Sequence, residues 1–211
     1  MIAKRLKKIK ARIKAAQKHS ATLIAVSKNR SVSELQSAID AGQRHFGENY
    51  LQESLAKIAA LKGQDLTWHF IGPIQSNKTQ KIAQNFAWVH SVDRLKIARR
   101  LNEQRGQNLA KLNILLQINI DSEPTKSGAS IEEIAELVAG FKDLENVVLR
   151  GFMCIANPLN SEQNFQQMEK IFKQYPYLDT LSMGMSFDME SALENGATFV
   201  RIGTDIFGKR V

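Results

Sequence analysis

Cysteine is almost absent: Cys154 is the single one in 211 residues, so no intramolecular disulfide can form and a reducing compartment is implied. Long apolar runs are missing as well, and nothing approaches the roughly 20 residues a membrane-crossing helix needs. The chain does not open on the charged, then apolar, then small-residue succession of a secretory signal. Together these absences predict a cytoplasmic protein without a membrane span. Inside residues 20–211 there is no low-complexity linker, charge block or shift of composition, which predicts one domain over residues 1–211. No G-x-G-x-x-G follows a first strand, so the dinucleotide-binding form of an open doubly wound sheet lacks its fingerprint.

Acidic residues are missing from one place in particular. Residues 1–18 hold eight bases, Lys4 to Lys18, and no acid, while the remaining 193 residues carry 21 bases and 21 acids. The net charge of +8 therefore belongs to the first segment alone. There Ile2, Leu6, Ile9, Ile13 and Ala16 recur at helical spacing, giving a basic amphipathic helix. Its apolar stripe is expected to pack on the body of the protein. The other use of such a helix is binding to nucleic acid or an anionic membrane surface.

After this helix, β-rich runs alternate with helical patterns. The runs are Leu23–Ser27, Arg44–Phe46, Thr67–Ile71, Trp88–Ser91, Leu112–Ile118, Val147–Met153, Thr180–Met183 and Thr198–Ile202. Helical stretches between them include "SELQSAIDAG", "NKTQKIAQNF" and "SIEEIAELVAGF", with Ser33 and Ser130 as caps at two starts and Gly42 and Gly196 at two ends. Strands alternating with helices imply right-handed crossovers and a parallel sheet, and eight such units close into a (β/α)8 barrel. The predicted fold class is thus α/β, a single TIM barrel with an additional basic N-terminal helix.

In such a barrel, ligand chemistry sits at the C-terminal ends of the strands. The first strand is followed by Lys28 and Asn29, the second by Glu48 and Asn49, the seventh by "SMGMS" with Ser182, Gly184 and Ser186, and the eighth by Gly203 and Thr204. Loops after strands seven and eight frequently hold phosphate, and glycine with serine and threonine hydroxyls suits that task. Lysine reacts as a free amine, which requires a pKa below its usual value of about 10.4. A phosphate on one side of the mouth, with an amine across from it, points to a ligand that carries both a phosphate and an electrophile. Pyridoxal 5'-phosphate (PLP) and imine-forming sugar phosphates both meet that description. From the residues alone, Arg201 reads as an inward strand residue paired with Asp205 or Asp188.

The stretches "AVSK", "FGENYLQE", "WHFIGPIQSNK", "LSMGMS" and "VRIGTDIFGKR" resemble the pyridoxal phosphate homeostasis (YggS/PROSC) family, in the family's order from residue 23 to 210. The resemblance implies a fold-type III barrel like the N-terminal domain of alanine racemases, with PLP as a Schiff base on Lys28. It places Asn49 beside the cofactor, Ser186, Gly203 and Thr204 at its phosphate, and Arg201 against the pyridine nitrogen. Ser182, from the strand-seven motif, completes the expected cofactor-binding set, and no metal is expected. Three residues depart from the family pattern: Asn29, Phe187 and Asp205.

Racemisation on this fold needs a second base opposite the lysine, and the internal candidates are Tyr50, His69, His90 and Cys154. His69, between Trp68 and Phe70, reads as a hydrogen-bonded barrel residue and Cys154 as a small apolar filler. The expected function is PLP binding in intracellular vitamin B6 homeostasis, as carrier or buffer, with no residue assigned a catalytic role. The expected partners are PLP and related B6 vitamers and, transiently, PLP-dependent apoenzymes, with a monomeric chain and neither membrane nor nucleic acid. The alternatives are a weak PLP-dependent amino-acid racemase and a nucleic-acid or membrane-surface binder acting through the basic N-terminal helix.

Overall fold

A computed structural model describes residues 1–123 and 126–209. Arg210, within the last family-like stretch, lies outside the described residues. Eight parallel strands hydrogen-bond in chain order: β1 Thr22–Val26, β2 His45–Glu48, β3 Thr67–Phe70, β4 Trp88–Val92, β5 Leu112–Ile118, β6 Val147–Cys154, β7 Thr180–Ser182 and β8 Phe199–Ile202. Ile24 of β1 sits opposite Arg201 of β8, and that pairing closes the barrel. Every predicted strand is present, with ends displaced by at most two residues. The (β/α)8 architecture expected from the alternation is the one found.

The helices are α1 Ile2–Ala16, α2 Val32–Asp40, α3 Leu51–Ala60, α4 Thr79–Asn85, α5 Leu95–Gln104, α6 Ile134–Ala139, α7 Ser161–Phe172, α8 Met189–Glu194 and α9 Thr204–Phe207. Two starts differ from the sequence reading. Ser31, not Ser33, caps α2, because only Ser31 can trade bonds with Glu34 in a capping box. The segment expected to be helical from Ser130 begins instead with a turn, in which the Ser130 N–H donates to Glu133 Oε2 at 2.7 Å, and α6 follows at Ile134. Gly42 and Gly196 do adopt the left-handed conformation expected of them, at φ 80° and 84°.

The stripe on α1 buries Leu6, Ile9 and Ile13 against α2, α8 and α9, worth about 1.5–3 kcal/mol per side chain. Its lysines remain exposed, while Arg5 and Arg12 are half-buried, and Arg12 reaches Glu190 at 2.7 Å and Asp205 at 3.4 Å.

Alternation along the strands separates the apolar core under the helices from the barrel lumen. Phe46, Trp68 and Phe70 face outward into the main core under the helices, while Gly47, His69 and Arg201 face the lumen. Gly47 is there for space, since a Cβ would come within 2.9 Å of Ile24 and 3.1 Å of Ile71.

The upper end of β1 is held by buried charge. Lys57 of α3, only 4% exposed, donates to the Ser27 carbonyl at 2.6 Å, to Glu48 Oε1 at 2.8 Å and to Glu53 Oε1 at 2.5 Å. Ser27 Oγ donates to the same Glu48 oxygen at 2.6 Å, and the Asn29 N–H donates to Glu53 Oε1 at 2.6 Å. Both neighbours of Lys28 are thereby fixed. Burial raises the Glu48 pKa, and the bonds from Lys57 and Ser27 oppose that shift. Breaking a buried pair on one side strands the other charge. Lys57→Met is therefore expected to destabilise the protein by about 3–5 kcal/mol in urea unfolding, with part of the loss recovered by adding Glu48→Gln. A Lys57→Met loss below about 1 kcal/mol, the range of an exposed pair, would contradict the buried clamp.

Candidate functional site

Lys28 follows β1 at the barrel's C-terminal face and is half-buried. Asn29, the next residue, stands at φ 57°. Asparagine tolerates this left-handed region better than β-branched threonine, the residue the family pattern led us to expect. The backbone turns sharply just past Lys28, and the Glu53 carboxylate holds the turn. Asn29 thus shapes the chain at this point.

A cavity of about 300 Å³ opens beside the lysine, lined by Val26, Lys28, Arg30, Met185, Ser186, Phe187, Arg201, Gly203 and Thr204. Of the seven residues proposed from sequence, it brings together Lys28, Ser186, Arg201, Gly203 and Thr204. The expectation that lysine and phosphate loops face each other across the mouth is corrected by the closure of the barrel. Because β1 is hydrogen-bonded to β8, the lysine and the 203–204 turn are neighbours.

Two glycines set the backbone around this cavity. At Gly203 a Cβ would lie 3.2 Å from the Val26 carbonyl oxygen, crowding the seam between β8 and β1. Gly184, at φ 89°, turns so tightly over α8 that a Cβ would come within 2.5 Å of the Ala192 methyl. The loop beyond it is closed by the Met185 N–H, which donates to Asp188 Oδ1 at 2.6 Å, so Ser186 is presented to the cavity.

Arg201 forms the floor. It is 5% exposed, donates from Nη1 to Ser182 Oγ at 2.7 Å and from Nη2 to the Cys154 carbonyl at 2.9 Å, and has no ion pair among the described residues. The expected pairing with Asp188 or Asp205 is not made. Asp188 accepts from Met185, and Asp205 turns away from the cavity to Arg12. Burial lowers the Arg201 pKa, partly offset by the fields of Cys154 and Asp188.

The other two proposed residues lie apart from the cavity. Ser182 is fully buried beneath it, bonded to Arg201 and to His90 Nδ1 at 3.0 Å. Asn49 lines a second hollow of about 210 Å³, with Gln117, Asn119 and Lys126, and its Oδ1 is buried without a partner. Behind Ser182 the lumen holds His90, His69 and His45 in sequence, with His69 Nδ1 3.0 Å from His90 Nε2 and His69 Nε2 3.0 Å from His45 Nδ1. Burial, with neighbouring imidazoles or Arg201, keeps the pKa values of His69 and His90 well below the usual range, so both rings are neutral.

The sequence reading missed Arg30, the one further cation lining the cavity among the described residues. Its guanidinium donates to the Gly208 carbonyl and to Glu34 Oε1 at 3.3 Å, and packs 5.7 Å from the Phe207 ring centre. A base two residues after the lysine was the available signal. The second-base candidates do not enter the cavity: Tyr50 is 52% exposed, His69 and His90 lie in the lumen, and burial pushes the Cys154 thiol up to about 12. The cavity therefore offers one primary amine, two hydroxyls, glycine-lined space and a buried cation. That donor set suits a small ligand with an electrophilic carbon and an anionic group.

The sequence matches the alanine racemase N-terminal domain over residues 4–211. It is 50% identical over 220 residues to the pyridoxal phosphate homeostasis protein of Pseudomonas aeruginosa, covering 99% of this chain and 96% of that one. The Escherichia coli K12 protein of the same name is 49% identical over 200 residues, covering 90% and 86%. PipY of Synechococcus elongatus, solved with PLP bound, superposes with a TM-score of 0.87 at 37% identity, over 99% of this chain and 100% of that one. Alanine racemase from Corynebacterium glutamicum shares the fold at a TM-score of 0.72 and 17% identity, over 99% of this chain and 61% of the enzyme. The chain belongs to the pyridoxal phosphate homeostasis protein family, which is built on the alanine racemase N-terminal domain.

Proposed function

We propose that this protein binds PLP in the cavity where β7, β8 and β1 end, linked covalently through the Lys28 amine, and serves as a carrier or buffer in vitamin B6 homeostasis. The observation that carries the reading is the convergence of Lys28, Ser186, Arg201, Gly203 and Thr204 on one cavity, in a chain whose relative PipY was solved with PLP. When bound, PLP supplies an aldehyde that a primary amine can take up and a ring that can draw electrons.

Each residue has a defined task in this reading. Lys28 Nζ provides the amine, on a backbone fixed at Ser27 and Asn29. Ser186 and Thr204 donate hydroxyls to the phosphate, and Gly203 leaves space for it. Arg30 adds positive charge at the same rim. Asn49 lines the second hollow, and its buried, unpartnered Oδ1 is an acceptor for a ligand group that extends there. Ser182 acts on the ligand through Arg201.

Arg201 meets the pyridine nitrogen as a cation that keeps its proton. A carboxylate partner would favour a protonated ring, whereas a guanidinium does not, which holds back carbanion chemistry. No second base lines the cavity among the described residues, so a proton taken from one face of an amino acid would have no group to replace it from the other. Both features support storage and release over robust catalysis. The apolar stripe of α1 is packed away, which disfavours a membrane-surface role for it. We place the protein in the cytoplasm as a monomer that passes PLP to apoenzymes by transient contact.

Adding PLP to the purified protein is expected to produce a visible absorption band that Lys28→Ala lacks. The same substitution is expected to weaken retention at least about tenfold, or more than ~1.4 kcal/mol. An unchanged band in Lys28→Ala would overturn the site. With alanine or serine as substrate, turnover is expected to stay at the level of free PLP, measured by chiral chromatography. Lys28-dependent racemisation well above that level would establish an enzyme instead. Light scattering is expected to give a mass near 23.7 kDa, and twice that value would contradict the monomer.

A further inference from the structure

Polar side chains cross the barrel lumen in an unbroken line. His45 opens β2 and lines a hollow at the lower face with Lys10, Lys14 and Gln17. From there the contacts run His45 Nδ1 to His69 Nε2, His69 Nδ1 to His90 Nε2, and His90 Nδ1 to Ser182 Oγ, each 3.0 Å, and then to Arg201 Nη1 at 2.7 Å. Trp88 and Phe199 hold the rings in place, with Trp88 stacked 5.7 Å from His69 and Phe199 stacked 5.8 Å from His90.

The direction of this line follows from its charged end. A guanidinium has donors only, so Ser182 Oγ must accept from Arg201. The single hydroxyl proton of Ser182 then goes to His90 Nδ1, its other neighbour among the described residues. His90 is neutral and carries its proton on Nε2, where it donates to His69 Nδ1. The same step repeats, so His69 donates from Nε2 to His45 Nδ1, and the His45 proton on Nε2 faces the lower hollow. Reversing the order would leave the Ser182 hydroxyl proton without an acceptor in a fully buried position.

We propose that His45, His69, His90 and Ser182 are positioning residues for Arg201, a one-way hydrogen-bond relay that fixes the guanidinium on the cavity floor and ties the ring-nitrogen side of the bound cofactor to the barrel's lower face. Its effect on the cofactor rests on the reading of the cavity as a PLP site. Its direction does not. Arg201 orders the relay, and the relay holds Arg201 in one orientation where no carboxylate does so.

Nitrogen-15 NMR of the histidine-labelled full chain, before PLP is added, reads the tautomers directly. His45, His69 and His90 are expected as neutral rings protonated on Nε2, with exposed His19 as the internal control. A proton on Nδ1 of His69 or His90, or a doubly protonated ring at neutral pH, would overturn the proposal. His69→Phe keeps an aromatic ring between Trp88 and Phe199 while removing both bonds. It is expected to leave His90 protonated on Nε2 but without an acceptor for that proton, and to speed rotation of the Arg201 guanidinium. After PLP is added, the variant is expected to release it at least about threefold faster, with a shifted band. A folded His69→Phe protein with wild-type guanidinium dynamics and release would refute the positioning role. Should that variant not fold, Ser182→Ala gives the same test, since without the hydroxyl the three tautomers lose their common direction. Failure of the wild type to take up PLP would instead sink the cavity reading, leaving the NMR results to judge the relay.

Discussion

A guanidinium buried without a carboxylate is the constraint around which this site is organised. Arg201 is held by a hydroxyl and a backbone carbonyl, so neutral dipoles do the work that an ion pair performs elsewhere in the protein. Burying a charge this way is costly unless every donor is satisfied. The histidine line behind Ser182 supplies a long, polarisable set of aligned dipoles, and an anionic ligand above would lower the cost further. The lack of an ion pair to Arg201 among the described residues is what leaves the cation available to a ligand on the cavity side.

The amine side is built on the opposite principle. There, Lys57 is compensated by Glu48 and Glu53, and the resulting clamp grips the backbone before and after Lys28. Closure of β1 on β8 then brings Lys28 and Arg201, differently supported, into one cavity. Glycines at 184 and 203 let the backbone pack tightly against α8 and against the end of β1 beside the cavity.

Barrel topology was legible in the sequence because period-two and helical runs alternate with little between them. Lys28, Ser186, Gly203 and Thr204 could be proposed from their places just past strand ends, and Arg201 came from the family resemblance. Four things were not legible. The Glu48–Lys57 clamp joins residues nine apart whose contact depends on how α3 packs, which periodicity does not reveal. The histidine relay needed the register between β2, β3 and β4 before three separate histidines became one line. Asn29 looked like an unexplained departure until its φ of 57° showed a turn that asparagine can make. The acid at 205 likewise resolved once Arg12, far away in sequence, proved to be its partner.

Lys28 is one lysine among many, and the most direct test of a covalent PLP link there is to find which lysine carries it. Borohydride reduction of the PLP-loaded protein followed by trypsin and mass spectrometry is expected to give a modified peptide spanning residues 19–30, because the adduct blocks cleavage after Lys28. An adduct found on Lys126, Lys57 or any lysine other than Lys28 would contradict the central claim.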